Sequence, residues 1–305
     1  MRKIGIIGLG NVGITVAYTL FTRGVADELV LIDPKSKKVR AEENDLKDAL
    51  SCNHFHTKVI NGDYDQLANA DVLITAFGDI KATARTDDRF AEFPINVEQA
   101  KIVGPKVKAS GFKGIWINIS NPCDAITTIL KKTSDFPKNR IFGTGTLLDT
   151  SRMKRQVADY LGNQDPKNIG GYVLGEHGNS QFTAWSTVSV GIRPLSKYIN
   201  DSLKYKRLEE NARQGAFEVI SGKGYTSYAI ATCAVRLIEA VFADAHTIFP
   251  VSVYLESLDT YIGYPAVVGA NGIEHVEDIS LTTAEKESLS KSADYIKGNL
   301  AKVGY

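Results

Sequence analysis

A chain of 305 residues that is 43% hydrophobic and 23% charged has the make-up of a globular protein large enough for two domains. Its formal net charge of +1 provides no electrostatic pull towards nucleic acid or an anionic membrane. Cys52, Cys123 and Cys233 are scattered with no CxxC spacing, Met1-Arg2-Lys3 runs straight into a short strand, and no apolar stretch reaches the roughly 18–20 residues of a bilayer span, so free thiols and a cytoplasmic location are expected.

Ile4–Ile7 reads as a buried strand, and Gly8-Leu9-Gly10-Asn11-Val12-Gly13 follows it and opens the helical pattern Val12–Arg23. In that setting the first glycine permits a tight turn, the second lets backbone approach a pyrophosphate, and the third lets helix and strand pack closely. Free N–H groups and the helix dipole then favour phosphate, which makes Gly8, Gly10, Asn11, Val12 and Gly13 expected dinucleotide contacts. Leu29–Ile32 forms a second strand, ended by Asp33. That carboxylate can accept from an adenosine ribose and repel a 2′-phosphate, favouring NAD over NADP; alternatively it caps a helix beginning near Pro34. Lys38–Leu50 is helical, and its basic cluster is followed at once by acids, as on a solvated face.

Val72–Ala76 is the next strand, and Ala76, Phe77 and Gly78 lie at its end, where ligands sit in open α/β sheets. Val97–Ala109 is helical. Ile115–Ile119 ends in Ser120-Asn121-Pro122, whose Asn121 amide suits a substrate or a nicotinamide, although Asn before Pro is also a plain turn signal. Arg140–Phe142 closes the βαβ rhythm. The expected fold class is α/β, a Rossmann-type doubly wound parallel sheet over residues 1–145, followed by an α+β catalytic domain over 146–305.

In the second half, Leu148–Leu161 is helical, and Tyr172–Leu174 and Phe182–Val190 read as strands. The helical patterns Tyr205–Ile220 and Thr226–Ala243 follow, then strands Ile248–Leu255 and Pro265–Val268, the turn Ala270-Asn271-Gly272, and a helix at Thr283–Leu300. Asp149 and Arg152 are three apart and project from one helical face, a spacing that most often gives a surface ion pair. Arg152 can hold a carboxylate with two parallel hydrogen bonds. His177, within Gly175-Glu176-His177-Gly178, is either a turn histidine or a proton carrier near neutral pH. Together the three groups are those needed to reduce a 2-oxo acid. Tyr-x-x-x-Lys and HExxH are both absent, which disfavours a short-chain dehydrogenase and a zinc hydrolase. A binding protein that kept only the fold would be expected to lack one of the three.

These motifs, with Asn121-Pro122, Gly145–Arg152 and Lys223-Gly224-Tyr225-Thr226-Ser227-Tyr228, occur in the same order in one family. From end to end the chain resembles the L-lactate/malate dehydrogenase family. Within it, Gly178-Asn179-Ser180-Gln181-Phe182 and Ala243-Asp244-Ala245-His246 are similar to the branch of bacterial L-2-hydroxyisocaproate dehydrogenases, and Glu176 before His177 disfavours the malate enzymes. The resemblance implies NAD as cofactor, a small 2-oxo or 2-hydroxy acid as substrate, and a homotetramer. It implies that His177 exchanges the proton, Asp149 orients it, Arg152 fixes the carboxylate and Thr226 lines the pocket. Arg89 matches the family's mobile-loop arginine, which polarises the carbonyl.

The segment before Arg89 lacks the Pro-Gly pair of the lactate enzymes, and Thr83, Ala84 and Arg85 are the candidates for reading the substrate side chain. Small residues and extra length predict a branched or long aliphatic substrate, with L-lactate as the alternative; an inward Arg85 would favour a dicarboxylate instead. Lys154 matches one contact for activation by fructose 1,6-bisphosphate, but Gly170 and Gly171 occupy the region of the other, so no such activation is expected.

Overall fold

The structure is a computed structural model that describes residues 1–78 and 92–305. Arg89 and the side-chain-reading candidates Thr83, Ala84 and Arg85 lie outside the described residues.

One nine-stranded sheet organises the chain. Its parallel part, in spatial order, is β6 (Ile141–Gly143), β5 (Ile115–Asn118), β4 (Val72–Thr75), β1 (Lys3–Ile7), β2 (Glu28–Ile32) and β3 (Lys58–Asn61). β1, β2, β4, β5 and β6 are buried along their whole lengths, which explains their unbroken apolar runs. Strand order reverses between β1 and β4, where a doubly wound sheet opens its ligand crevice. Helices α1 (Asn11–Thr22), α2 (Ser36–Asp48), α3 (Phe93–Ala109) and α4 (Cys123–Ser134) connect the strands.

The second half supplies α5 (Leu147–Tyr160), α6 (Ser202–Lys223), α7 (Tyr228–Phe242) and α8 (Thr283–Lys302). Its strands β12 (Thr247–Leu255), β13 (Thr260–Gly269) and β14 (Gly272–Val276) form an antiparallel meander that joins the same sheet at Ser252↔Gly143. Gly272 takes φ +88 at the turn into β14, a conformation open mainly to glycine. Among the described residues no helix is long and apolar enough to cross a membrane.

Several elements differ from the sequence expectation, which places no strand at Lys58–Asn61 or Gly272–Val276. Phe182–Val190 is not one strand: β9 (Phe182–Thr183) pairs with β8 (Val173–Leu174), while β10 (Ser189–Val190) pairs with β7 (Ile169–Gly170) and β11 (Arg193–Pro194). A 3-10 turn at Trp185–Thr187 separates them, held because Glu285 accepts from Ser186 N at 3.0 Å and Ser186 Oγ at 2.6 Å. Local β propensity yields there to a long-range carboxylate contact. Helix α4 is absent from the sequence expectation, and its Ile126-Thr127-Thr128-Ile129 run is β-branched, which disfavours a helix. Burial of Cys123–Leu130 on every side overrides that preference.

Candidate active site

The Gly-rich turn is locked by contacts that tolerate no side chain. Gly8 has φ +93, and a Cβ there would stand 2.6 Å from Phe77 N. A Cβ on Gly13 would lie 1.9 Å from Gly8 O, so only glycine lets α1 close onto the turn. Gly10 is exposed and has open space where its Cβ would be, and α1 begins without a side-chain cap. Its first N–H groups, at Asn11 and Val12, are thus left without a side-chain cap, as a phosphate site requires. Ala76 N donates to Ile7 O at 2.8 Å, which holds Ala76-Phe77-Gly78 beside the turn. Asp33 accepts from Leu9 N at 3.0 Å and from Lys35 N at 2.9 Å. It therefore ties the turn to β2 and does not cap α2, whose N-cap is Lys35. These features fit a dinucleotide.

At the β5 end, Asn118 is buried. Its amide donates to Ser120 O, Cys123 O and Thr127 Oγ1, and its carbonyl accepts from Thr75 Oγ1 at 2.9 Å. That network shapes the turn carrying Asn121, which is half-buried and precedes a cis Pro122. Asn121 O accepts from Asn96 Nδ2 at 2.6 Å.

Asp149 lies in the first turn of α5 and its side chain is 1% exposed. One carboxylate oxygen meets His177 Nδ1 at 2.5 Å and the other accepts from Arg152 Nη1 at 3.0 Å. The sequence-level alternative of a surface ion pair is thereby corrected: Arg152 is only 13% exposed and His177 18%. A single buried carboxylate bridges the imidazole and the guanidinium, and with Nδ1 engaged, Nε2 is the ring nitrogen left available.

The loop bearing His177 is fixed from several sides. Thr146 Oγ1 donates to Val173 O at 2.6 Å, and Val173 N donates to Thr150 Oγ1 at 3.0 Å, fastening β8 to α5. Gly175 (φ +94) bridges Gly263 of β13, an approach a Cβ on Gly263 would block at 2.6 Å from Gly175 O. Glu176 accepts from Ser180 N and Oγ at 2.9 and 2.7 Å, and its own N–H donates to Ser292 Oγ of α8 at 2.7 Å. Thr226 is half-buried in the turn between α6 and α7. Behind α5, burial pushes the Cys233 thiol up to about 12, leaving it inert.

Sequence reasoning passed over Asp124, in the first turn of α4. It is 1% exposed; it accepts from His177 N at 2.8 Å and from Ser252 Oγ at 2.6 Å. Burial raises its carboxyl from 3.8 to about 7 despite those hydrogen bonds. Between these values the native state binds the extra proton. Its stabilisation is therefore full below about pH 4 and is lost as pH rises through about 7. The slope is at most about 1.4 kcal/mol per pH unit. Asp124→Asn keeps an acceptor but cannot ionise, so its Tm should fall less than the wild type's between about pH 5 and pH 8. Parallel Tm curves would contradict this.

Two family models match the chain. One, the lactate/malate dehydrogenase NAD binding domain, covers residues 2–143, and the other, the lactate/malate dehydrogenase alpha/beta C-terminal domain, covers residues 146–304. The chain belongs to the lactate/malate dehydrogenase family. It is 36% identical to L-lactate dehydrogenase 1 of Bifidobacterium longum subsp. longum, over 97% of this chain and 96% of that protein. L-lactate dehydrogenase of Clostridium botulinum (strain Loch Maree / Type A3) is 35% identical over 98% and 96%. Among solved structures, the minor L-lactate dehydrogenase from Enterococcus mundtii superposes with TM-score 0.93 at 33% identity, covering 99% of this chain and 98% of that one. A lactate dehydrogenase from a Medee basin deep-sea metagenome library also gives TM-score 0.93, at 31% identity and full coverage of both chains. The protein is thus an NAD-dependent oxidoreductase acting on 2-hydroxy acids, with a Rossmann domain and a C-terminal α/β domain.

Proposed function

We propose that this member of the family interconverts a small 2-oxo acid and its L-2-hydroxy acid, with Asp149, Arg152 and His177 as the reacting centre. The observation that carries the reading is the buried Asp149 carboxylate shared between the imidazole and the guanidinium. Gly8, Gly10, Asn11, Val12, Gly13, Asp33 and Ala76-Phe77-Gly78 would hold NADH, which would supply a hydride for the carbonyl carbon. His177 gives its Nε2 proton to the carbonyl oxygen and takes it back in the oxidation direction. Asp149 fixes the tautomer and stabilises the imidazolium, as a buried carboxylate beside histidine does in hydrolytic triads. Arg152 grips the substrate carboxylate, with Asn121 and Thr226 bordering the pocket and Arg89 polarising the carbonyl.

The pair we favour is pyruvate and L-lactate, because relatives matching nearly the whole chain are named L-lactate dehydrogenases. Asn179 after Gly178 supports the second reading, a branched or long aliphatic acid such as 2-oxoisocaproate. NADH oxidation with pyruvate, 2-oxoisocaproate and oxaloacetate separates them. We expect kcat/KM for pyruvate to lead by at least about tenfold, a difference of about 1.4 kcal/mol in transition-state binding. The reverse order would transfer the assignment to the larger acid. Fructose 1,6-bisphosphate should leave KM for pyruvate unchanged. A cytoplasmic homotetramer is the assembly we infer from the family likeness.

A further inference from the structure

A cleft of about 340 Å³, within the size range of small-ligand pockets, opens between the carboxyl end of α4, the β12–β13 hairpin and α8. Lys131 and Lys132 of α4, Lys138 just beyond it and Lys297 of α8 all line it. Lys138 pairs with Glu256 at 3.0 Å and Lys297 with Asp294 at 3.2 Å, whereas Lys131 and Lys132 form no salt bridge among the described residues. The acid in the lining, Asp259, accepts from the Tyr254 hydroxyl. Tyr261, also in the lining, is 1% exposed, and its buried hydroxyl has no hydrogen-bond partner among the described residues.

Lysines in the last turn of a helix ordinarily just answer its dipole, which would account for Lys131 and Lys132. It does not account for a buried hydroxyl left without a partner, and Lys138 and Lys297, although each paired with an acid, bring two further ammonium groups to the same cleft from separate segments. Lysines acting as point charges suit phosphate. From Asp124, which holds the His177 loop, to Lys132 is about 12 Å along α4 at 1.5 Å per residue, so the cleft is distinct from the reacting centre.

We propose that this cleft is a second binding site, for a small organic phosphomonoester, held by Lys131 and Lys132 with the Tyr261 hydroxyl as a further donor. The inference does not depend on which 2-oxo acid the enzyme reduces. The test is calorimetric titration of the full chain, saturated with NADH so that the Gly-rich turn is occupied. Glycerol phosphate, inorganic phosphate and citrate are compared at constant ionic strength.

Glycerol phosphate should bind with Kd below about 1 mM, more tightly than either other anion. Lys131→Ala/Lys132→Ala should weaken it at least about tenfold and Tyr261→Phe about threefold, while Arg152→Ala leaves it unchanged. Tm values measured alongside show that each variant is folded. Any one of three results overturns the proposal: no saturable binding of glycerol phosphate, citrate binding as tightly as the ester, or binding that survives the lysine changes but is lost in Arg152→Ala.

Discussion

Arg152→Lys should lower kcat/KM for the preferred 2-oxo acid by about 10³-fold, or ~4 kcal/mol of transition-state binding. The planar fork, one of whose nitrogens is already held by Asp149 at 3.0 Å, is replaced by a flexible ammonium that cannot make parallel hydrogen bonds. Both KM and kcat should suffer, because the carboxylate that orients the carbonyl towards His177 is no longer clamped. The deficit should shrink to a few-fold with a 2-oxo amide, which has no carboxylate to hold. Steady-state kinetics on the two substrates checks this. A loss below about tenfold with the acid, or an equal loss with the amide, would remove Arg152 from carboxylate recognition.

Asp149→Asn should act on the chemical step itself, with kcat falling by about 10²–10⁴-fold while the Kd for NADH stays constant. The carboxylate is 1% exposed and serves the imidazole and the guanidinium at once. An amide of the same shape withdraws the charge that stabilises a protonated His177 and can present its NH₂ towards Nδ1, favouring the wrong tautomer. It also leaves Arg152 without its anionic neighbour, so the two substitutions should not be additive. Fluorescence titration with NADH separates this from misfolding. A kcat within about tenfold of wild type would show that Asp149 is only an anchor for the helix.

The parts of this molecule most legible from sequence are those where one physical demand acts alone. β1, β2, β4 and β5 are short apolar runs because both faces of the parallel sheet are covered. Gly8 and Gly13 are legible because a Cβ on either would meet backbone, Phe77 N for Gly8 and Gly8 O for Gly13. Asp149 and Arg152 declare themselves by helical spacing, yet the spacing does not reveal that they are buried or that His177, 28 residues from Asp149, meets the same carboxylate.

Harder to read are the places where distant contacts decide. Asp124 looks like an ordinary acid at a helix start, and only the return of Ser252 and His177 to it, from 128 and 53 residues away, makes it a post for the His177 loop. A carboxylate two residues after Asn121-Pro122, inside a run otherwise free of charge until Lys131, was the signal available. The Phe182–Val190 run fails as one strand for a similar reason, since Glu285 reaches in from α8 to hold its middle. The lysine cleft is assembled from three separate segments that no local pattern connects.

The most direct test of the central claim is to mix the protein with NADH and the 2-oxo acid panel, following NADH loss together with the chirality of the product. One NADH should be consumed per 2-oxo acid, with the L-2-hydroxy acid as the single product and the turnover at least about 10²-fold lower in Asp149→Asn. Absence of NADH oxidation with every acid in the panel, or formation of the D product, would contradict it.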